Sequence, residues 1–401
     1  MVANILFITF DDESSPYLES LFKPILMGLK QKDSLVHIVQ IVTGHDTRAL
    51  FERSKVEQPL GILHERYLIP HKHKGLALLL LMPRLALIIK RFSSNNPSST
   101  LIFRSLIPSL IVNFSRILKL DFAKVLYDSD GLAIDERAEF GKWSHLNFTY
   151  VIGRFLEYLS LGFATSVIVR SDNTSEVLAS RGSPSTKPNF VKLLNGRDRY
   201  VFNLSTKESR LRERMLMNIE QNDPVLLYVG SIGPQYQIDT MLKVFREILL
   251  LLPNAKFLVL SFTERGFFNS QIVNFCEQFP GTIIRRGVDA NSIPKLIEIA
   301  DLGISIRGDS FSMKHVAPLK LREYMLCGLP VIYSSNTGDN FILPDDISMK
   351  YSFSADDPGA VAMWFKNTVM PMRDIIRVES RKYAEENFSL DKDVARLKPF
   401  V

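Results

Sequence analysis

Short runs of valine, isoleucine and leucine alternate with segments of helical periodicity along almost the whole chain. An apolar run, a helix and a second apolar run together predict a parallel βαβ unit. The predicted strands of the first half are 5–9, 36–42, 101–103, 124–127, 166–169 and 191–194, and those of the second half are 225–229, 256–260, 282–285, 302–306 and 330–333. Two successive series of this kind predict an α/β protein with two doubly wound, Rossmann-like domains.

The length of 401 residues also fits two domains, because one hydrophobic core seldom grows that large. The boundary between the two predicted domains lies between Asn195-Gly196 and Asp223-Pro224. We predict a first domain over 1–203, a second over 204–385 and a C-terminal segment, 386–401, that packs back toward the first. The charged segment 207–214 is typical of a solvated connecting helix. Residues 238–252 carry apolar side chains at three-to-four spacing, which predicts a helix with one buried face.

Composition narrows the class of protein and of partner. The net charge of +6 favours an anionic partner, but no arginine-rich tract or zinc-ligand spacing points to nucleic acid. Two cysteines, Cys276 and Cys327, are too few to cross-link a secreted fold of this size. The N-terminal run lacks a basic start and soon meets Asp11, Asp12 and Glu13, which is typical of a strand and not of a signal peptide. We therefore expect a cytoplasmic protein.

Residues 75–91 form the most apolar segment of the chain. Its uninterrupted apolar run, 76–82, is far shorter than the ~20 residues that a membrane span requires. Basic residues flank it at 71–74 and at Lys90-Arg91. Two interpretations remain open at this stage: a surface element that touches an anionic membrane leaflet, and a helix buried against a sheet.

The segment 301–332 carries the clearest chemical signal. A predicted strand ends near residue 306, a polar loop follows, and Pro318 opens a helix that Gly328 ends. The N-terminus of a helix attracts phosphate, and Lys320 in the first turn adds a cation. Glu323 lies on the same helix face and could accept hydrogen bonds from both hydroxyls of a ribose. The alternative is an ordinary surface ion pair between Lys320 and Glu323.

A second glycine-bearing turn follows the strand 225–229. Gly230, Ser231 and Gly233 precede the amphipathic helix, and glycine lets a backbone approach a diphosphate closely. A Gly-x-x-Gly turn is weak evidence when it stands alone.

The segment 301–332 resembles family 4 of the glycosyltransferases, enzymes of the GT-B type. In one subgroup the run is Ser-Pro-x-Lys-x-x-Glu-Tyr-x-x-x-Gly-x-Pro-Val-Ile, and eight of its nine specified positions agree here in register with the segment 317–332, with Ala317 in place of the serine. The resemblance implies the GT-B fold, with two Rossmann-like domains facing a central cleft. It also implies a second domain that binds a nucleotide-diphosphate sugar, a first domain that binds the acceptor, and Glu323 as the residue that holds the ribose.

The chain departs from the family at three further positions of this domain. Many relatives carry an arginine and a lysine where this chain has Ser231 and Tyr236, so we assign the phosphate to Lys320, helix amides and Arg307. The family's first glutamate, eight positions before Glu323, is replaced by His315. His315 could contact the sugar or leaving phosphate, or it could cap the loop.

The first half resembles the family more loosely. Arg104 ends a predicted strand where relatives often carry Arg-Ser, and Asp128 and Asp130 follow the next strand. Either aspartate could orient an acceptor hydroxyl, or act as a base if its pKa is raised, but Asp-Gly at a strand end is also an ordinary turn. Glu157 matches a frequent family position and could equally be a solvent-facing charge, and Asn195-Gly196-Arg197-Asp198 resembles the turn that closes the first domain.

The residues and the resemblance together predict a hexosyltransferase with catalytic residues Glu323, His315 and Asp130, acceptor-binding residues Arg104 and Asp128, and no metal or bound cofactor. The resemblance implies retention of anomeric configuration and a carbohydrate or lipid-linked acceptor of cell-envelope polysaccharide synthesis, with peripheral contact to the inner membrane face. Two alternatives remain: a GT-B nucleotide-sugar epimerase and a non-catalytic binding or scaffolding protein. No Gly-x-Gly-x-x-Gly, nucleophile elbow or Walker A motif supports other chemistry.

Overall fold

The computed structural model describes residues 4–13, 15–44, 49–56, 61–141, 147–183, 187–261, 269–338 and 343–401. The chain divides into two compact units. Unit 1 comprises Met1–Leu194 with Asp393–Val401, and unit 2 comprises Asn195–Lys392.

Unit 1 is built on an eight-stranded sheet of order β3-β4-β2-β1-β5-β6-β7-β8. All neighbouring strands are parallel except β3, which runs antiparallel to β4 at the edge. The strands are β1 Ile5–Asp12, β2 Val36–Gly44, β3 Glu52–Val56, β4 Ile62–Pro70, β5 Thr100–Arg104, β6 Lys124–Asp128, β7 Ser166–Val169 and β8 Asn189–Lys192. The central strands are buried along nearly their whole length, as expected of a parallel sheet covered by helices.

The helices of unit 1 are α1 Lys23–Leu29, α2 Lys74–Asn95, α3 Leu106–Ser115, α4 Ala133–Glu139, α5 Phe148–Phe163 and α6 Asp172–Arg181. The inner faces of α2 and α3 join the sheet in one hydrophobic cluster, to which Leu81, Leu85 and Ile111 belong. At the chain's end, the Asp393 carboxylate accepts a hydrogen bond of 3.0 Å from the Leu194 backbone N–H, which fixes the last residues to unit 1.

Unit 2 has a six-stranded, fully parallel sheet of order β11-β10-β9-β12-β13-β14. Its strands are β9 Val225–Val229, β10 Lys256–Ser261, β11 Ile283–Gly287, β12 Leu302–Ser305, β13 Val331–Ser334 and β14 Ser348–Tyr351. Its helices are α7 Lys207–Leu216, α8 Ile238–Leu251, α9 Ser270–Gln278, α10 Ile293–Ile297, α11 Leu319–Leu326, α12 Pro358–Trp364, α13 Met370–Phe388 and, running on into unit 1, α14 Leu390–Leu397. The amphipathic pattern predicted over 238–252 is confirmed in α8, whose apolar residues are buried from Ile238 to Leu249.

The interpretation of 207–214 as a solvated connector is wrong in one respect. The segment is a helix, α7, but Arg214 on it is only 1 % exposed. Its guanidinium donates to the Asp301 carboxylate at 2.8 Å and to the Ile299 carbonyl at 2.9 Å. Arg210, one turn earlier, donates to the same carboxylate. A shared buried carboxylate therefore holds α7 against the rest of unit 2.

The apolar segment 75–91 has one buried face and one exposed face. It lies in α2, where Ala77, Leu81 and Leu85 are buried, so the buried interpretation is confirmed for one face. On the other face Leu76, Leu79, Leu80 and Leu87 are half or more exposed. None of the described helices combines the length and the apolarity that a bilayer crossing needs.

Candidate functional site

Three residues of unit 2 that the sequence singled out, Ser231, Arg307 and Lys320, gather at the carboxyl ends of β9 and β12. Strand β9 comes first in this sheet along the chain. Strand β10 pairs with it on one side and β12 on the other, so the order of the strands reverses direction at β9. A ligand site is expected outside such a switch point. Backbone contacts join the loops: the Gly308 N–H donates to the Gln235 carbonyl at 3.1 Å, and the Arg307 N–H donates to Ser334 Oγ at 2.6 Å.

Helix α11 brings Lys320 and Glu323 to this edge. Pro318 immediately precedes the helix, and Gly328, at φ +81°, follows it in the left-handed conformation that glycine adopts easily. The Tyr324 hydroxyl accepts a hydrogen bond of 2.8 Å from the Val229 N–H at the end of β9. Because Gly303 has no side chain, the Tyr324 ring packs directly on β12. These contacts fix the height of α11 above the sheet.

The Lys320 ammonium lies between two tyrosines. Its Nζ donates to the Tyr228 hydroxyl at 3.2 Å and lies 4.6 Å and 4.5 Å from the ring centroids of Tyr228 and Tyr236. Gly230 has φ +139°, and a Cβ atom there would collide with Cε and Nζ of Lys320. The glycine therefore leaves room for the lysine, an explanation that the sequence alone did not supply.

Burial lowers the pKa of Lys320 well below its usual value, and the nearby Arg307 guanidinium lowers it further, while Glu323 opposes the shift. A bound anion would reverse this balance, because it would stabilise the protonated ammonium. The site is therefore electrostatically prepared for a negatively charged ligand.

Arg307 supplies a second cation at the same place. Its guanidinium carbon lies 4.4 Å from the centroid of the Tyr236 ring, so both positive groups contact the same aromatic ring. Ser231 is exposed, and its carbonyl accepts a hydrogen bond of 2.5 Å from the Tyr228 hydroxyl. Gly233 precedes a short 3₁₀ turn, Pro234–Tyr236, that carries this ring. The arrangement combines two cations with an aromatic wall.

Glu323 forms an ion pair with Arg197. The Arg197 guanidinium approaches Glu323 Oε1 at 3.0 Å, and both side chains are buried. Arg197 also lies over the Phe202 ring at 4.9 Å, and Asn195 donates to the Ala317 carbonyl at 3.0 Å. The Asn-Gly-x-Asp turn thus does more than close a domain, because it orients the Glu323 carboxylate.

His315 is buried in a 3₁₀ turn, Ser312–His315, that leads toward α11. Its ring meets the Phe311 ring edge-on, with centroids 5.0 Å apart. The contact holds the imidazole by packing within the loop between β12 and α11.

The polar residues of unit 1 also gather at a switch point, between β1 and β5. Arg104, at the end of β5, pairs with Asp130 at 2.5 Å and lies 4.5 Å from the Phe22 ring centroid. Asp128, at the end of β6, receives two hydrogen bonds from Arg170 Nη2, at 2.7 and 3.0 Å. Arg104 and the two predicted aspartates are therefore brought together.

Two carboxylates of this cluster, Asp130 and Asp11, have pKa values that are shifted in opposite directions. Burial opposes the charge of Asp130, but Arg104 and then Arg170 outweigh it, so the pKa of Asp130 lies below its usual value. Asp130 is consequently a weak base, and the raised pKa that a base role requires is absent. Asp11, at the end of β1, shows the opposite shift: burial raises its pKa despite hydrogen bonds from Gln40 and Thr9.

A small pocket lies beside this cluster, lined by Ser105, Tyr127, Arg137 and Glu157 among others. Glu157 is 4 % exposed and pairs with Arg154, so the interpretation of it as a solvent-facing charge is wrong. Burial raises the pKa of the Glu157 carboxyl.

Sequence reasoning missed two members of the unit 1 cluster. Asp11 was noted only as a charge near the start of the chain, and Arg170 was not singled out, although Asp11 lies at the carboxyl end of β1 and Arg170 directly follows β7. The described residues contain no group of His, Cys, Asp and Glu side chains arranged to hold a metal ion.

Comparisons with known proteins identify the fold. No protein-family model and no curated protein sequence matches the chain. Among solved structures, sucrose-phosphate synthase from Thermosynechococcus elongatus has a TM-score of 0.70 at 12% identity, covering 99% of this chain and 98% of that one. HepE from Anabaena in complex with UDP and glucose has a TM-score of 0.70 at 13% identity, with coverage of 99% and 98%.

A third structure, the Escherichia coli trehalose-6-phosphate protein bound with UDP-2-fluoro glucose, gives a TM-score of 0.69 at 11% identity and covers 100% of both chains. Identities this low establish the fold and not the activity. The predicted fold is confirmed: the chain has the GT-B fold of these structures.

Proposed function

We propose that this protein is a glycosyltransferase that uses a nucleoside diphosphate sugar. The observation that carries the proposal is the group formed by Lys320, Arg307 and the Glu323–Arg197 ion pair at the switch point of unit 2. Two cations suit a diphosphate, and a carboxylate whose position is fixed suits the two hydroxyls of a ribose. The GT-B fold, shared with proteins that were solved with UDP or UDP-sugars, supports this assignment.

We propose UDP as the nucleotide and a hexose such as glucose as the sugar. HepE was solved with UDP-glucose, and the E. coli protein with a fluorinated UDP-glucose. In our assignment Lys320 and Arg307 neutralise the charge that develops on the leaving UDP. We propose that these cations act without a metal ion, so that activity persists in a chelator.

We assign acceptor binding to the cluster of unit 1. Arg104 and Asp128 lie at the ends of adjacent strands, where an acceptor hydroxyl can be oriented. The raised pKa of Asp11 makes it a better proton acceptor than Asp130, whose pKa is lowered. We propose a carbohydrate or lipid-linked acceptor of envelope polysaccharide synthesis, used at the cytoplasmic face of a membrane, with retention of configuration at the anomeric carbon.

Turnover of UDP-glucose tests the proposal. The protein is incubated with UDP-glucose, EDTA and a panel of mono- and oligosaccharide and polyprenyl-phosphate-linked acceptors, and UDP release and new glycosides are measured by mass spectrometry. We expect UDP release that depends on one acceptor class, and a product whose anomeric proton keeps the donor's configuration by NMR. Glu323→Gln should reduce turnover by about tenfold or more, since it removes a charge-assisted contact to the ribose.

A matched control is Glu298→Gln, which changes another buried glutamate of unit 2 that lies outside this group. Its turnover should stay near that of the wild type. A change of sugar identity without acceptor consumption would support the epimerase instead. Binding of UDP-glucose without any turnover would support the non-catalytic binding protein.

A further inference from the structure

The solvent-facing side of α5 is apolar along its length. Phe148, Val151, Phe155 and Tyr158 recur at three-to-four spacing and are 75%, 55%, 58% and 44% exposed. The charged residues of this helix are Arg154 and Glu157, and they pair with each other on its inner side. A helix of a globular protein normally shows the opposite pattern, with its polar side facing water.

The same feature continues on the two neighbouring helices of the layer. Helix α3 packs against α5 on one side and against α2 on the other. Exposed large apolar side chains follow this row, namely Leu76, Leu79, Leu80 and Leu87 on α2, and Phe114, Ile117 and Leu118 at the end of α3 and the 3₁₀ turn after it. We call this set, with those of α5, the apolar face of unit 1. Exposed apolar patches of this extent are rare on a protein that stays in water.

The exposed charged residues that accompany the apolar face on α2, α3 and α5 are basic. Neither α2 nor α3 contains an aspartate or glutamate, and the only acidic residue of α5 is the buried, paired Glu157. Arg84 and Arg91 lie among the leucines of α2, and Arg116 follows α3; all three are exposed. Long basic side chains of this kind can reach lipid phosphates while their stems lie against apolar groups.

We propose that the apolar face of unit 1 docks on the surface of an anionic lipid bilayer. The inference deepens the proposed function, which places the acceptor at the face of a membrane, because it names the surface that binds the bilayer; it does not depend on the donor site. Leucine, phenylalanine and tyrosine side chains would enter the headgroup region, and Arg84, Arg91 and Arg116 would meet lipid phosphates. Two kinds of attraction then act together, which is what lasting peripheral binding needs.

The charge pattern favours a bilayer over a second copy of this chain. A symmetric dimer would bring the same arginines of both copies to one interface, and α2, α3 and α5 offer no exposed carboxylate there to balance them. An anionic leaflet supplies negative charge across the whole face.

Vesicle flotation tests the proposal on the full chain. The protein is mixed with vesicles of phosphatidylcholine and phosphatidylglycerol, or of phosphatidylcholine alone, at low and high salt. We expect strong binding to the anionic vesicles and weak binding to the neutral ones. The double variant Val151→Ser/Phe155→Ser should lower vesicle affinity by at least about tenfold at either salt concentration. Arg84→Gln/Arg91→Gln should lower it about fivefold per arginine at low salt and much less at high salt.

The matched control is Met215→Ser/Leu250→Ser, which removes apolar side chains of unit 2 that are 75% and 68% exposed. It should float like the wild type. Circular dichroism and UDP binding of every variant separate a loss of docking from a loss of folding. The proposal is overturned if wild type stays unbound, if the control loses binding equally, or if light scattering finds a dimer that Val151→Ser/Phe155→Ser dissociates.

Discussion

At the scale of single residues, the central feature is a lysine whose charge is disfavoured until a ligand arrives. Lys320 lies against Tyr228 and Tyr236, with the Arg307 guanidinium nearby, and its pKa is lowered chiefly by burial. A diphosphate brings negative charge that favours the protonated ammonium. Binding and protonation of Lys320 are therefore coupled.

This coupling predicts a pH dependence with a definite sign. The pKa of Lys320 is low in the free protein and rises in the complex, so UDP affinity should fall as pH increases from the lower to the higher value. Above pH ~7 the terminal phosphate of UDP is fully ionised and adds little to the change. Calorimetric titrations at a series of pH values above pH 7, in buffers of different ionisation enthalpy, should show net proton uptake on UDP binding and an affinity that falls as the pH rises.

The control for this experiment is Lys320→Met, which should bind UDP more weakly and with a nearly flat pH profile. Parallel profiles for wild type and variant would show that the proton is taken up elsewhere.

Residue types at the site could be predicted from the sequence better than residue contacts. The spacing of Pro318, Lys320, Glu323 and Gly328 placed a cation and a carboxylate at the start of a helix after a strand. The partner of Glu323, however, is Arg197, more than a hundred positions earlier. Such a contact depends on how distant segments pack, and no local periodicity encodes it.

At the scale of elements, α11 is the part that carries the site. It is a short helix, and short helices depend on tertiary contacts because their own hydrogen bonds are few. The Tyr324 hydroxyl at the Val229 N–H is one such contact, and both groups are buried.

Removing that hydroxyl should loosen the element and the site together. Tyr324→Phe leaves the Val229 N–H without its partner, so we expect the free energy of unfolding to fall by about 1–3 kcal/mol in denaturant titrations. UDP affinity should fall as well, because Lys320 and Glu323 lie on the same helix. Tyr200→Phe, at a tyrosine that is 75% exposed, should change neither quantity. Loss of stability with unchanged UDP affinity would argue against α11 as the donor-binding element.

Sequence patterns predicted the buried parallel strands and missed β3, β4 and β14. Strand β4 contains His64, Glu65 and Arg66, whose charges interrupt the apolar run that marks a buried strand. Glu65 is nevertheless buried, since Arg53 of β3 and the Tyr67 hydroxyl supply its partners, at 2.5 and 2.7 Å. Strand β3 is exposed and polar, so only its pairing with β4 defines it.

At the scale of the whole molecule, the polar cluster of each unit lies at the carboxyl edge of its sheet. In both units it lies beside the first strand of the main parallel series, which has a later strand on either side. In unit 1 that strand is β1 and in unit 2 it is β9. The two clusters differ in charge: Lys320 and Arg307 approach the same ring in unit 2, whereas Arg104 and Arg170 are paired with aspartates in unit 1. This difference supports our proposal that unit 2 binds an anionic donor and unit 1 binds a hydroxyl-bearing acceptor.

Hydrogen exchange with and without UDP, followed by mass spectrometry, tests the central claim most directly, because it reports where the nucleotide binds. We predict slower exchange in peptides that contain Gly230–Tyr236, Arg307 and the first turn of α11, with little change across unit 1, and loss of this protection in Glu323→Ala. Protection confined to unit 1, or an exchange pattern that UDP leaves unchanged in every peptide, would contradict it.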